Sequence, residues 1–342
     1  MTGATHARSE LTSVCRLLVV AVALLVAPPA VAADIQKVVS KSGIEAWLVE
    51  SHNVPLISMS ISFRGGSAED PSAKRGLARI LENMFFESSG RRDTASYLRD
   101  WNRFGASGSI AVSDEFVSIS FQAITDHRDE SFDLLRLALA EPTNDPASLE
   151  RARRQLKLTL AQMQGDPETR ATLVWFDAAF GKHTYGLPTR GSAATLDAIT
   201  IADVVDYRRR VFTRDNLKIG VTGDIDAKTL AGLLDSTFAA LPKKSQLGAI
   251  TPVIATGGSR IDVAMNVEQA VVVFGNDASA ISNPNDTDYY AATVLNSILA
   301  GGNFADRLTT EIREKRGLAY TVSASFTQLS KGGYWLGSLG TG

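Results

Sequence analysis

Apolar and polar residues alternate from Ile44 to Glu50 and again from Leu56 to Phe63, the pattern of strands that bury one face. Val54-Pro55 separates the two, and Arg64-Gly65-Gly66 turns the chain after the second. A polar loop closed by Pro71 leads to a helix-forming stretch, RGLARILENMFF, from Arg75 to Phe86. Thr94 is placed to N-cap the next helix, which stops at Gly105. Ser107 to Val112 and Glu115 to Ala123 read as a strand pair joined at Ser113-Asp114. Asp129 to Ala140 follows as an amphipathic helix with Phe132, Leu135 and Leu139 on one stripe.

A long helix is predicted from Ala147, behind Pro146, to about Gln164, and another from Thr169 to Phe180. The loop from Lys182 to Pro188 precedes a helix from Ile201 to Val211 capped by Thr200. Leu217 to Thr222 reads as a buried strand, and a helix from Ala227 to Leu241 completes a first unit. Pro242 to Gly258 is rich in Pro, Gly, Lys and Ser and has no clear apolar period. Beyond it a strand (Gln269 to Phe274), a loop with Pro284 and a helix (Asp288 to Ala300) repeat the opening order about 213 residues later. This period is that of duplicated domains, not of a solenoid. The expected fold is α+β, with two homologous domains, each an antiparallel sheet covered by helices. The expected division is a signal peptide (1–32), an N-terminal domain (33–245), a linker (246–258) and a C-terminal domain (259–342) that is cut short in what reads as a strand.

Composition adds a location. Arg8 and Arg16 precede an apolar run of 11 residues, Leu17 to Ala27, and Ala30-Val31-Ala32 has the small-residue form of a cleavage site. Eleven residues are too few to span a bilayer, so the run predicts export, with the periplasm as the expected compartment. Cys15, the only cysteine, lies in the part removed, which excludes disulfides and cysteine-bound metals from the mature chain. After cleavage 33 basic face 36 acidic residues, a net charge of −3 with no basic stripe to bind nucleic acid.

The chemistry of interest lies in RGLARILENMFF. Arg79, Glu82 and Asn83 stand at i, i+3 and i+4, on one face of a helix. With His at the first and last places this spacing is the inverted zinc-protease signature H-x-x-E-H, in which two imidazoles hold zinc and the carboxylate takes a proton from its water. Here it reads R-x-x-E-N. Arginine has no lone pair to offer a cation, and asparagine is a poor zinc ligand. His183, alone in a Gly/Pro loop, reads as structural, and His52 and His127 merely flank strands.

Motifs in series give the chain a resemblance. RGLARILENMFFESSG, the long helix with Glu150, KHTYGLPTRGS, NLKIGVTGDID and GGNFADRLTTEIREKRGLAY resemble those of the insulinase-like, or pitrilysin-type, zinc peptidase family M16. That family implies two halves closing around an unfolded peptide, with zinc held by the two histidines and by a glutamate seven residues beyond another acidic residue. Matching Glu150 to the earlier acid places the glutamate's position at Lys157. The degenerate zinc-motif positions are therefore Arg79, Glu82, Asn83 and Lys157, and no metal is expected on this chain. The family also carries an arginine and a tyrosine seven residues apart that face the zinc; Arg313 and Tyr320 match them. They would donate to the substrate carbonyl oxygen as it gains charge, with Gly317 ending the helix in a left-handed conformation.

The resemblance implies a non-catalytic, substrate-binding subunit of an exported two-chain zinc peptidase. Its partner would be a homologous M16 subunit with intact H-x-x-E-H and the zinc, and its substrate an unfolded peptide. The alternatives are an inert peptide-binding or scaffold protein of the same fold and, as a minor reading, an active metalloendopeptidase with atypical ligands.

Overall fold

A computed structural model describes residues 34–341, apart from 88, 91, 282–284, 286 and 302–305. The leader with its cleavage site, Cys15, Pro284 and Gly302 lie outside the described residues. The chain begins with three strands, β1 (Ile35–Val39), β2 (Glu45–Glu50) and β3 (Leu56–Arg64). Helices α1 (Leu77–Met84) and α2 (Thr94–Arg103) follow, then β4 (Ser107–Val112) and β5 (Phe116–Ile124). Next come α3 (Arg128–Ala140), α4 (Pro146–Gln164), α5 (Pro167–Phe180), α6 (Ala193–Asp197) and α7 (Ile201–Val211). Strand β6 (Leu217–Gly223) and helix α8 (Ala227–Phe238) precede β7 (Ala270–Asp277), α9 (Thr287–Ala300), β8 (Thr321–Leu329) and β9 (Gly332–Thr341).

The first six strands form one sheet in the order β1-β2-β6-β3-β5-β4. Its period-2 pattern sends Ile57, Met59, Ile61 and Phe63 of β3, and Val117, Ile119, Phe121 and Ala123 of β5, into one buried face under the helices. Each large side chain so buried contributes about 1.5–3 kcal/mol. The opposite face is rich in serine, with Ser60 paired to Ser120 and Ser62 to Ser118. One pair corrects the expectation of a wholly antiparallel sheet: β2 and β6 run parallel, from Trp47–Gly220 to Glu50–Gly223. The long helical excursion between them leaves their relative direction free of any hairpin constraint.

The helix starts follow local chemistry. Thr200 caps α7 as expected, and Asp203 completes a capping box with it. At α2 the cap is Asp93 and not Thr94, because its carboxylate accepts from the Ser96 amide. Strand β1 and the short α6 carry too little pattern to be expected from sequence.

The second sheet, β7-β9-β8, is antiparallel and small. Helix α9 packs on β8, with Asn296 donating to the Ala324 carbonyl (3.1 Å) and accepting from Trp335 Nε1 (2.7 Å). Helix α5 packs on β7, and a second buried cluster that includes Phe180, Tyr185, Leu329 and Tyr334, flanked by Trp175 and Phe176, joins it to the β8–β9 hairpin. Residues 246–258 run without helix or strand but are tied down at intervals. The amides of Val253, Ala255 and Thr256 donate to Lys331 O, Asp277 Oδ1 and Ala179 O. Among the described residues no helix is long and apolar enough to cross a membrane.

Candidate functional site

Helix α1 is held by its apolar side. Leu77, Ala78, Ile80 and Leu81 are buried in the main core, which turns Arg79, Glu82 and Asn83 to the other side. Gly76 precedes the helix at φ +96°, and a Cβ there would stand 2.8 Å from the Arg190 carbonyl oxygen. Asp70 caps the start by accepting from the amides of Gly76 (2.9 Å) and Ala78 (3.0 Å). Burial pushes its carboxyl up to about 7, against the opposing pull of Arg75 and of these amides. Arg75 is itself buried and donates to the carbonyls of Ser67, Thr184 and Leu187, fastening the KHTYGL loop to the helix entry.

The R-x-x-E-N face closes on itself. Arg79 Nη1 is 2.8 Å from Glu82 Oε2, with both side chains about four-fifths buried at 19% and 22% exposure. Asn83 spends its amide on the Arg79 carbonyl, at 2.8 Å. Lys157 of α4 points its ammonium at Asp197 Oδ1, 2.6 Å away at the end of α6. The structure therefore groups Arg79, Glu82 and Asn83 and gives Lys157 a carboxylate partner on a different element. This donor set does not fit zinc: the two cations are already paired, and the one carboxylate of the face is taken by Arg79. Among the described residues no cluster of three or more His, Cys, Asp or Glu could hold a metal.

Arg313 and Tyr320 come together elsewhere. Arg313 lies on a π-helical turn, Thr309–Glu314, and Tyr320 directly precedes β8. Gly317 has φ +60° and its amide donates to the Arg313 carbonyl (3.0 Å), while Leu318 donates to Ile312 O (2.9 Å). This left-handed stop doubles the chain back, as its glycine predicts. The Arg313 guanidinium carbon sits 4.5 Å from the centre of the Tyr320 ring, within cation–π range. Tyr320 is 76% exposed, and Arg313 beside it is half-buried.

The described histidines, His52, His127 and His183, make local contacts. His183 Nε2 contacts the Thr251 carbonyl (3.0 Å) and Nδ1 accepts from the Tyr185 amide. His127 packs its ring against Phe104. His52, which carries no signal in the sequence, bridges Asp224 (2.5 Å) and Glu50 (2.9 Å), and these carboxylates raise its pKa. The sequence also gives no warning of Arg75 or Glu115, whose partners lie far along the chain.

Comparisons with known proteins agree with this architecture. The family model described as insulinase (peptidase family M16) matches residues 47–193, and that of the peptidase M16 inactive domain matches 198–341. An uncharacterized zinc protease YmxG of Bacillus subtilis is 22% identical over 289 residues, covering 84% of this chain and 69% of that protein. A Helicobacter pylori protein named non-peptidase homolog YmxG is 22% identical over 80% of this chain and 62% of its own length. The crystal structure of a peptidase M16 inactive domain from Pseudomonas fluorescens superposes with a TM-score of 0.84 at 25% identity, over 90% of this chain and 74% of that one.

Proposed function

The chain belongs to peptidase family M16, the insulinase family, and from that premise we propose that it is the non-catalytic subunit of an exported, periplasmic two-chain zinc peptidase. The observation that carries this reading is an asymmetry. The face that would hold a metal is spent on internal pairs, whereas the half-buried Arg313 lies over the ring of Tyr320, which is exposed to solvent. The leader-like run from Leu17 to Ala27 supports export.

In this reading a homologous partner with intact H-x-x-E-H supplies zinc and the water it activates. This chain supplies chamber wall, holds the unfolded peptide and places two donors at the carbonyl oxygen. The guanidinium stays charged throughout, and the phenol adds a neutral O–H beside it. Both stabilise the oxyanion more than the carbonyl, which is the condition for lowering the barrier.

The test is to purify this chain and its homologue with intact H-x-x-E-H, separately and mixed, and follow cleavage of an unstructured peptide. Cleavage by the mixture that Arg313→Ala slows supports the reading; cleavage by this chain alone overturns it. The second reading, an inert peptide-binding or scaffold protein, draws on the relative named a non-peptidase homolog. It expects Arg313→Ala to change nothing.

A further inference from the structure

Between β4 and β5 the turn carries Glu115, only 9% exposed and without an ion-pair partner among the described residues. Its carboxylate instead accepts three hydrogen bonds from neutral donors. Tyr185 Oη and Ser330 Oγ each stand 2.5 Å from Oε1, and the Ser330 amide is 2.9 Å from Oε2. A charge this buried is costly unless its oxygens are satisfied, so both donors and carboxylate are held to one geometry. The three residues come from separate parts of the chain: the first sheet, the KHTYGL loop and the turn between β8 and β9.

The same turn is anchored from below. Gly65, Ser67 and Ala68 donate their amides to the carbonyls of Glu115, Ser113 and Asp114. Arg75 in turn joins Ser67 to Thr184 and Leu187 at the entry to α1. A continuous series of polar contacts thus runs from the tip of the β8–β9 hairpin to the frame of α1. The aromatic cluster around Tyr334 packs beside it but fixes no direction.

We propose that Glu115 is a positioning residue, clasping the tip of the β8–β9 hairpin and so setting the attitude in which Arg313 and Tyr320 are presented to substrate; this rests on the subunit reading above. Strand β8 pairs with β9 along its whole length, from Thr321–Gly340 to Leu329–Gly332, so the hairpin transmits orientation as a stiff arm. Tyr320 is at the end of that arm remote from Ser330. Nine residues of strand reach about 30 Å, so a pivot of about 10° at the clasp moves the far end by about 5 Å. A misplacement of about 1 Å can already cost about a hundredfold in rate.

The substitutions are Glu115→Gln, which turns an amide N–H toward a donor, Glu115→Asp, which keeps the charge, and Ser330→Ala, which removes one donor from an exposed position. Hydrogen–deuterium exchange of this chain alone, as purified, reads the clasp without any proteolysis. Residues 329–334 should exchange about tenfold faster or more in Glu115→Gln, with Ser330→Ala intermediate and α1 unchanged. In the mixed complex Glu115→Gln should lower kcat about tenfold or more with KM within about twofold, and Glu115→Asp should recover part of the loss. Unchanged exchange at 329–334 in both Glu115→Gln and Ser330→Ala overturns the clasp. Faster exchange with unchanged kcat overturns the positioning role. Faster exchange beside a wild-type mixture that cleaves nothing overturns the subunit reading itself and leaves Glu115 a structural bond only.

Discussion

Two regions of this chain, the R-x-x-E-N face of α1 with Lys157 and the Arg313–Tyr320 pair before β8, treat their polar residues in opposite ways. Around α1, Arg79 is paired with Glu82, Asn83 with the backbone and Lys157 with Asp197. Around β8, Arg313 lies over a tyrosine that is three-quarters exposed. In the first region the side-chain cations are neutralised locally. The second leaves the Tyr320 ring at the surface, where folding alone gains little from it. On the proposed subunit reading, that exposed tyrosine has its use in what binds there.

Restoring the donors breaks the comparison most severely. The triple substitution Arg79→His, Asn83→His and Lys157→Glu should take the chain from no tightly held zinc to one equivalent, read by metal analysis after dialysis. Arg79→His alone should not, because a single imidazole beside an asparagine and a lysine does not make a site. If the triple variant stays metal-free, α4 is not the helix that faced the ion.

The next effect concerns the open region. In the mixed complex Arg313→Ala should lower kcat by about 10²–10³-fold, the usual loss for one oxyanion donor, with little change in KM. A rise in KM at constant kcat would mean that Arg313 only binds substrate.

Stability should divide the regions the other way. Leu81, fully buried under the R-x-x-E-N face, should cost about 2–5 kcal/mol when changed to alanine. Exposed Tyr320 should cost about 0.5 kcal/mol or less. Thermal or urea unfolding of the chain alone compares the two, and equal losses would remove the claim that Tyr320 is kept for something other than folding.

The smallest effect is a control away from both regions. Asp224 and Glu50 raise the pKa of His52 above 6.5, so its contribution is full below pH 6.5 and fades as pH rises through the folded-state value. Asp224, lowered chiefly by His52, loses its contribution as pH falls through its own folded value, below 3.8. His52→Gln should therefore flatten a small fall in Tm above pH 6.5 and leave peptide cleavage by the mixture unchanged. A His52→Gln effect on cleavage would link this cluster to the site.

The fold was legible wherever a residue's role depends on its near neighbours. Alternation set β3 and β5, glycine set the doubling back at Gly317, and the i, i+3, i+4 spacing grouped Arg79, Glu82 and Asn83. Caps were legible to within a residue, since Asp93 and Thr94 are both good caps and only the Ser96 amide decides between them. The parallel pairing of β2 with β6 was not legible, because it joins strands separated by most of the first unit. Glu115 was hidden for the same reason: at the start of an expected strand nothing local marks its carboxylate, and Ser330 arrives from the far end of the chain. At the site, the residue types showed what the α1 face lacks and offered Arg79 or Lys157 as the partner of Glu82; the structure gives Glu82 to Arg79 and pairs Lys157 with Asp197 instead.

The most direct test is the zinc content of the purified wild-type chain, equilibrated with zinc, dialysed and measured by plasma mass spectrometry. The account predicts far less than one equivalent, unaltered by Asn83→Ala. One tightly bound equivalent that Asn83→Ala releases would contradict it, because a paired arginine would then stand inside a working metal centre.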